Sequence, residues 1–341
     1  MINRRRGRRQ AGFSIIEFLI AMAIGLFIIG VAINILVYNK HAYRMISDSL
    51  DIQDSARFAT RRIGDVFRMA GHRGGVVLAN VNDVSTLTGD GVCQAKWLTN
   101  KFTSEPIRGY SGGTGIVDTG DCATLGITDA NHVDASDILA VRFGEAINES
   151  SPDSSANQDR LFLYSVVSGN AVLGLGSQIA TLLTNDKATA QPEKIYGRFI
   201  YPYYTDIYYV RPWTDVTTDQ TPALVRLRMN GKTTVTEVMV SGVETMKVEF
   251  GIDSNDDHQV DQYRSPDNIN DWSKVMTARL AIVARSMGRD PQIADTKTYV
   301  LLAGNNAYSY TPSSAVDHYA RLMFEISIHL RNTMEIRQSS S

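Results

Sequence analysis

Asp253-Ser254-Asn255-Asp256-Asp257-His258-Gln259-Val260-Asp261 sets oxygen-bearing side chains at alternate positions, Asp253, Asn255 and Asp257, with Asp261 further on. This order suits calcium, a hard cation that takes about six to eight oxygens. Three side chains would converge on the ion, Gln259 would offer its carbonyl, and Asp261 would add an acid directly or through water. Two residues depart from the pattern: His258 stands where glycine makes the sharp turn, and Arg264 where a bidentate glutamate belongs. The alternative is an acidic β-turn held by its own Asn and Asp hydrogen bonds.

Gly109-Tyr110-Ser111-Gly112-Gly113 fits the G-x-S-x-G nucleophile elbow. That elbow needs a strand before the serine and a helix after it, and the sequence announces neither. The six histidines are scattered with no H-E-x-x-H, so no catalytic triad is assigned. The aromatic run of Tyr196, Phe199, Tyr201, Tyr203, Tyr204, Tyr208, Tyr209 and Trp213 has the residue types that stack on single strands or glycans. Lys and Arg are sparse there, and buried sheet positions are the better reading; a partner interface lies between the two.

The third chemistry is peptide cleavage. Gly12-Phe13-Ser14-Ile15-Ile16-Glu17 lies between Arg4, Arg5, Arg6, Arg8, Arg9 and an apolar run to Val37 in which Glu17 is the only charge. About 20 apolar residues span a bilayer. An ordinary secretory signal places its cut after a short apolar stretch and discards it. Here the expected cut, after Gly12, precedes the apolar stretch and keeps it, with the arginines holding the leader in the cytoplasm. A carboxylate inside such a segment costs roughly 2.5 kcal/mol or more, so Glu17 asks for a function. It lies one helical turn from Phe13, so carboxylate and new α-ammonium share a face, where the helix dipole also favours an anion. Neutralisation within the chain, or by the N-terminus of a neighbour, are the two options; the second gives a register for stacking helices into a filament.

These residues resemble the type IV prepilins and the related type II secretion pseudopilins, and within them the PilW-type minor pilins. The finer likeness rests on length, on Arg61-Arg62-Ile63-Gly64 and Met69-Ala70-Gly71-His72-Arg73-Gly74, and on Leu330-Arg331-Asn332. The resemblance implies cleavage by a prepilin peptidase, N-methylation of Phe13, assembly through Glu17, and incorporation into a periplasm-spanning fibre. The implied partners are other minor pilins, the major pilin, the inner-membrane assembly platform and a PilY-type tip adhesin. The implied location is the inner membrane, single-pass with the C-terminal domain in the periplasm, and then the pilus tip. The first rival is a large minor pseudopilin of a type II secretion system; a rival of another class is a membrane-anchored hydrolase using Ser111.

Without the five leader arginines the formal charge falls from −2 to about −7, which argues against direct nucleic-acid binding. Cys93 and Cys122 fall on the exported side, where an oxidising compartment lets them pair across a glycine-rich segment. Closing that loop would contribute on the order of 3–4 kcal/mol. A two-cysteine metal site is the alternative, and no CxxC supports it. No cofactor is required, apart from the structural calcium considered above.

The elements that position these residues follow from periodicity. Ile46, Leu50, Ala56, Ala59, Ile63, Val66 and Ala70 recur at helical spacing, opposite Asp51, Asp54, Arg57, Arg61, Asp65 and Arg68. One helix from Phe13 to about Ala70, roughly 85 Å long, is predicted, stopped by Gly71, Gly74 and Gly75. Period-two alternation predicts strands at 320–331, 276–284, 138–143, 161–167, 224–229, 235–240 and 243–250. The expected division is a leader over 1–12, a transmembrane half-helix over 13–37, an amphipathic half over 38–71, and a β-rich region over 72–341, in one or two subdomains. The fold class is α+β and type IV pilin-like, a long N-terminal helix packed on a mostly antiparallel sheet domain.

Overall fold

The computed structural model describes residues 12, 14–76, 80–85, 87, 105–113, 127–147, 151–152, 154–166, 170–189, 198–312 and 317–332. The chain forms two units, Met1–Leu50 and Asp51–Ser341. Helix α1 (Ile15–Met69) begins in the first and ends in the second.

In the first unit α1 is apolar on every side from Phe18 to Val37. One 18-residue window reaches a mean hydropathy of 2.7, and none of it is buried. A helix hydrophobic all round belongs in a protein core or in lipid, and this stretch has no core around it. By length and composition it can cross a membrane.

In the second unit the same helix is amphipathic. Ile52, Ala56, Ala59, Ile63, Val66, Phe67 and Ala70 are buried in the main core, while Asp51, Asp54, Arg57, Arg61, Asp65 and Arg68 are exposed. Ile46 and Leu50, assigned to this stripe by their spacing, are instead exposed. They belong to the first unit, before the part of the helix that the sheets cover, and the buried stripe starts at Ile52. The helix ends where Gly71 turns left-handed, at φ +73°, and donates its N–H to the Arg142 carbonyl at 2.8 Å.

The strands, in chain order, are β1 (Val81–Asp83), β2 (Ile107–Tyr110), β3 (Ile138–Gly144), β4 (Leu161–Val166), β5 (Ala171–Leu175), β6 (Arg198–Arg211), β7 (Ala223–Asn230), β8 (Thr233–Ser241), β9 (Val243–Ile252), β10 (Gln262–Arg264), β11 (Val275–Arg285), β12 (Tyr299–Leu301), β13 (Tyr308–Tyr310) and β14 (Arg321–His329). A second helix, α2 (Gly176–Thr189), follows β5 and buries Ile179 against Phe162, Tyr164 and Ile200. The larger sheet runs β1-β5-β4-β6-β3-β2, with β7 added to β6 and β8 to β7. The second sheet runs β10-β9-β11-β14, and β12 pairs with β13. Pairing is antiparallel apart from β1 with β5.

Both larger sheets lay apolar side chains on the stripe of α1: Leu139, Val141, Phe143, Tyr208 and Leu224 from one, Met246, Val248, Phe250, Leu280, Ile282 and Ile328 from the other. A buried ion network ties β14 to β9: Arg321 donates to Glu244 at 2.6 and 2.9 Å, and it also pairs with Asp317. Burial pulls the Arg321 guanidinium down, but its bonds to Glu244 and Asp317 outweigh that and raise its pKa. Such a guanidinium stays charged, and leaving its carboxylates unpaired would be costly.

Gly64 faces β14, where a Cβ would meet Ile326 and Ile328 at 3.7 Å. That is ordinary contact, and glycine inside a helix costs about 0.5–1 kcal/mol relative to alanine. Gly64→Ala is therefore expected to stabilise the protein by about that amount in urea unfolding of the detergent-solubilised chain, whereas Gly64→Leu should destabilise it by about 1–3 kcal/mol through overpacking. Destabilisation by alanine would mean that the helix and β14 are closer than described.

Candidate functional site

At the start of α1, Ser14 acts as the N-cap: its Oγ accepts the Ile16 N–H at 3.4 Å, and its carbonyl accepts the Phe18 N–H at 3.1 Å. The sequence pattern S-x-x-E was a readable signal for this cap, and the spacing argument about Glu17 overlooked it. Glu17 occupies the first turn and is exposed, as is Gly12. An acid in the first turn faces the positive end of the helix dipole, which lowers the cost of its charge in an otherwise apolar segment. Phe13 and the leader arginines lie outside the described residues, as do Cys93, Cys122 and Tyr196.

The acidic loop between β9 and β10 forms a chain of side-chain to backbone bonds. Asp253 is buried, and its carboxylate accepts the N–H groups of Asp256 at 2.7 Å and His258 at 2.9 Å. Asn255 Oδ1 accepts the Asp257 N–H, Asp257 accepts the Gln259 N–H, and Asp261 accepts both the N–H and the hydroxyl of Ser254. The Ser254 bonds hold the Asp261 carboxyl below the usual carboxylate range. His258 takes the left-handed conformation, φ +66°, that glycine would supply, so its side chain does not prevent the turn. Arg264 lies in β10 and donates to the Asn268 carbonyl. Among the described residues no three His, Cys, Asp or Glu side chains are gathered in a metal-binding group.

Strand β2 runs directly into the G-x-S-x-G segment, correcting the sequence reading that no strand precedes it. Ile-Arg-Gly-Tyr is short and contains glycine, and its pairing with β3 is what makes it a strand. Beyond it the Gly112 N–H donates to buried Asp137, which also accepts from Lys247 Nζ and the Val248 N–H, all at 2.8 Å. Burial pushes the Asp137 carboxyl up, against the pull of Lys247. Asp137 therefore serves as an anchor for the segment. Ser111 Oγ makes no hydrogen bond among the described residues, and none of these positions a base to activate it.

The aromatic run from Phe199 to Tyr209 lies on strand β6, the spine of the larger sheet. Tyr203, Tyr204, Tyr208 and Tyr209 are buried, while Phe199 is exposed and stacks on Tyr201. Arg211 lies over the Trp213 ring at 3.5 Å. Burial raises the hydroxyls of Tyr203, Tyr208 and Tyr209 above their ordinary range.

Residues 207–332 match the family model described as Type IV Pilus-assembly protein W, and residues 7–33 match the prokaryotic N-terminal methylation motif. Among solved structures the chain is similar to a type IV-like pilin from Thermus thermophilus, at 12% identity over 82% of this chain and 97% of that one, with a TM-score of 0.34. No curated protein matches the chain.

Asp253→Ala is expected to lower the melting temperature in calcium and in chelator alike, because it strips two backbone amides of their acceptor, a loss of about 1–3 kcal/mol. Calcium bound at the loop would instead add stability that appears only with the ion and that Asp257→Ala, at an exposed carboxylate, removes. Calorimetry of both variants in the two buffers separates the contributions. An Asp253→Ala protein as stable as the wild type would contradict the turn described here.

Proposed function

We propose that this chain, matched over residues 207–332 by the PilW pilus-assembly model and over 7–33 by the N-terminal methylation motif, is a minor pilin that primes or caps a type IV pilus at the tip without catalysing a reaction. In this reading a prepilin peptidase cuts after Gly12, Phe13 is N-methylated, and the apolar half of α1 holds the protein in the inner membrane with its C-terminal domain in the periplasm. On assembly the same half-helix moves from lipid into the fibre core. The other minor pilins, the major pilin and the assembly platform are its partners, with a PilY-type adhesin at the tip. In the same reading Cys93 and Cys122 pair in a disulfide and no cofactor is required; a structural calcium at loop 253–261 would have to compete with the bonds that Asp253 and Asp261 already make within the turn.

The observation that supports this most is the exposed apolar half of α1 with Glu17 in its first turn. A surface of that kind has to be covered by lipid or by other helices. Glu17 then gives neighbouring helices a charge to register on, paired with the α-ammonium of an adjacent subunit.

Sheared fibres test the reading. Antibody to the C-terminal domain should label fibre ends, and Glu17→Ala should be cleaved normally yet reach the fibre about tenfold less, the effect of losing about 1.4 kcal/mol of pairing. Label along the shaft would contradict the tip position, and normal incorporation of the variant would contradict the role of Glu17. Loss of protein export with fibres intact, after deletion of the gene, would favour the pseudopilin reading.

A further inference from the structure

Strand β14 ends its sheet: among the described residues it pairs only with β11. Its register runs unbroken for nine residues from Arg321 to His329. Ser286 donates to the Ala320 carbonyl, and Leu330 donates to the Met276 carbonyl, each at 2.8 Å. These two bonds fix the phase of the ladder, because hydrogen-bonded pairs alternate along an antiparallel pair. Even-numbered residues of β14 exchange bonds with β11. The backbone groups of Met323, Glu325, Ser327 and His329 therefore point away from the sheet, while the Arg321 carbonyl accepts from the Tyr299 hydroxyl. An unpaired edge of this kind is a template for another strand.

A groove of about 560 Å³ lies between this strand and α1, lined by Arg57, Arg61, Arg68 and Asp65 from the helix and by Ile326 and Ser327 from the strand. Asp65 pairs with Arg68 at 2.9 Å. Arg57 and Arg61 are exposed and form no ion pair among the described residues. The groove thus carries two uncompensated positive charges beside an open ladder. Helix and strand run alongside each other in the same direction: Gly64 lies against Ile326 and Ile328, and the Asn332 amide donates to the carbonyls of Arg68 and Ala70. Arg57 and Arg61 are one turn apart, about 6 Å of helix rise. Alternate residues of a strand are separated by about 6.6 Å.

We propose that this edge and these two arginines together take an extended acidic segment of a neighbouring polypeptide. It adds to the sheet as a fifth strand, with backbone bonds to Met323, Glu325, Ser327 and His329. Carboxylates two residues apart on its helix-facing side pair with Arg57 and Arg61. The ladder supplies affinity without regard to sequence, and the charges select an acidic strand over a basic one. The inference does not depend on a position at the tip, since any adjoining subunit can contribute the strand.

The test places a photoreactive benzoylphenylalanine at Ser327 of the full chain in cells that natively produce it, with the crosslinked peptide sequenced by mass spectrometry. The expected product is a peptide with two carboxylates at alternate positions. Its yield should fall about tenfold or more in Arg57→Glu/Arg61→Glu, where like charges face each other across the interface. Arg57→Gln/Arg61→Gln should give an intermediate yield. Both pairs of substitutions are on exposed positions, and an unchanged melting temperature verifies folding. A crosslinked peptide without carboxylates, a yield indifferent to charge reversal, or no protein adduct at Ser327 would overturn the proposal. Adducts to anionic phospholipid in place of a peptide would also overturn it, and would assign the arginines to the membrane surface.

Discussion

A single helix that must satisfy two different surroundings governs this protein. For its first part α1 presents apolar side chains in every direction, and for its last nineteen residues, Asp51 to Met69, it presents one apolar stripe and one charged face. No side-chain arrangement within the first unit can cover the former, so that stretch has to be solvated by lipid or by other helices. The stripe, by contrast, is covered by the chain's own sheets. Attachment and folding are thereby assigned to successive segments of one continuous element.

The β region is built around that division. Two sheets contribute to one core on the stripe, and β3, β9 and β11 are buried along most or all of their length. Buried and partly buried carboxylates here include paired ones, Glu244 and Asp317 on Arg321, and Asp206 on Arg228. Paired burial limits the desolvation cost while fixing which strands lie together. The charged face of α1 has a different part. Arg57 and Arg61 contribute nothing to the core, and they stand where β14 leaves its backbone unpaired.

Much of this was legible in the residues because the determining interactions are periodic. Alternation at 276–284 and 320–331 encodes a sheet with one face on a core, and the structure has strands at Val275–Arg285 and Arg321–His329. Spacing placed the end of α1 at the glycines following Ala70, and Gly71 does turn left-handed. The failures came where burial is decided at a distance. Ile46 and Leu50 fit the stripe by period but precede the part of the helix that the sheets cover. Strand β2 is too short and glycine-bearing to announce itself, and its partner β3 lies almost thirty residues away. Helix α2 has weak amphipathicity and no acidic residue in its first turn, leaving little for sequence reasoning to detect. At the acidic loop the presence of His258 argued against a sharp turn; the turn forms all the same, because bonds to Asp253 hold the backbone in place.

The central claim is that the apolar half of α1 is retained and works as an intact, exposed helix beginning at a processed terminus. Intact-mass measurement of the chain recovered from sheared fibres tests it most directly. The account predicts a protein that starts at Phe13, carries one added methyl group and keeps every residue through Val37. Recovery of the full 341-residue chain, or of a chain cut after the apolar stretch, would contradict it.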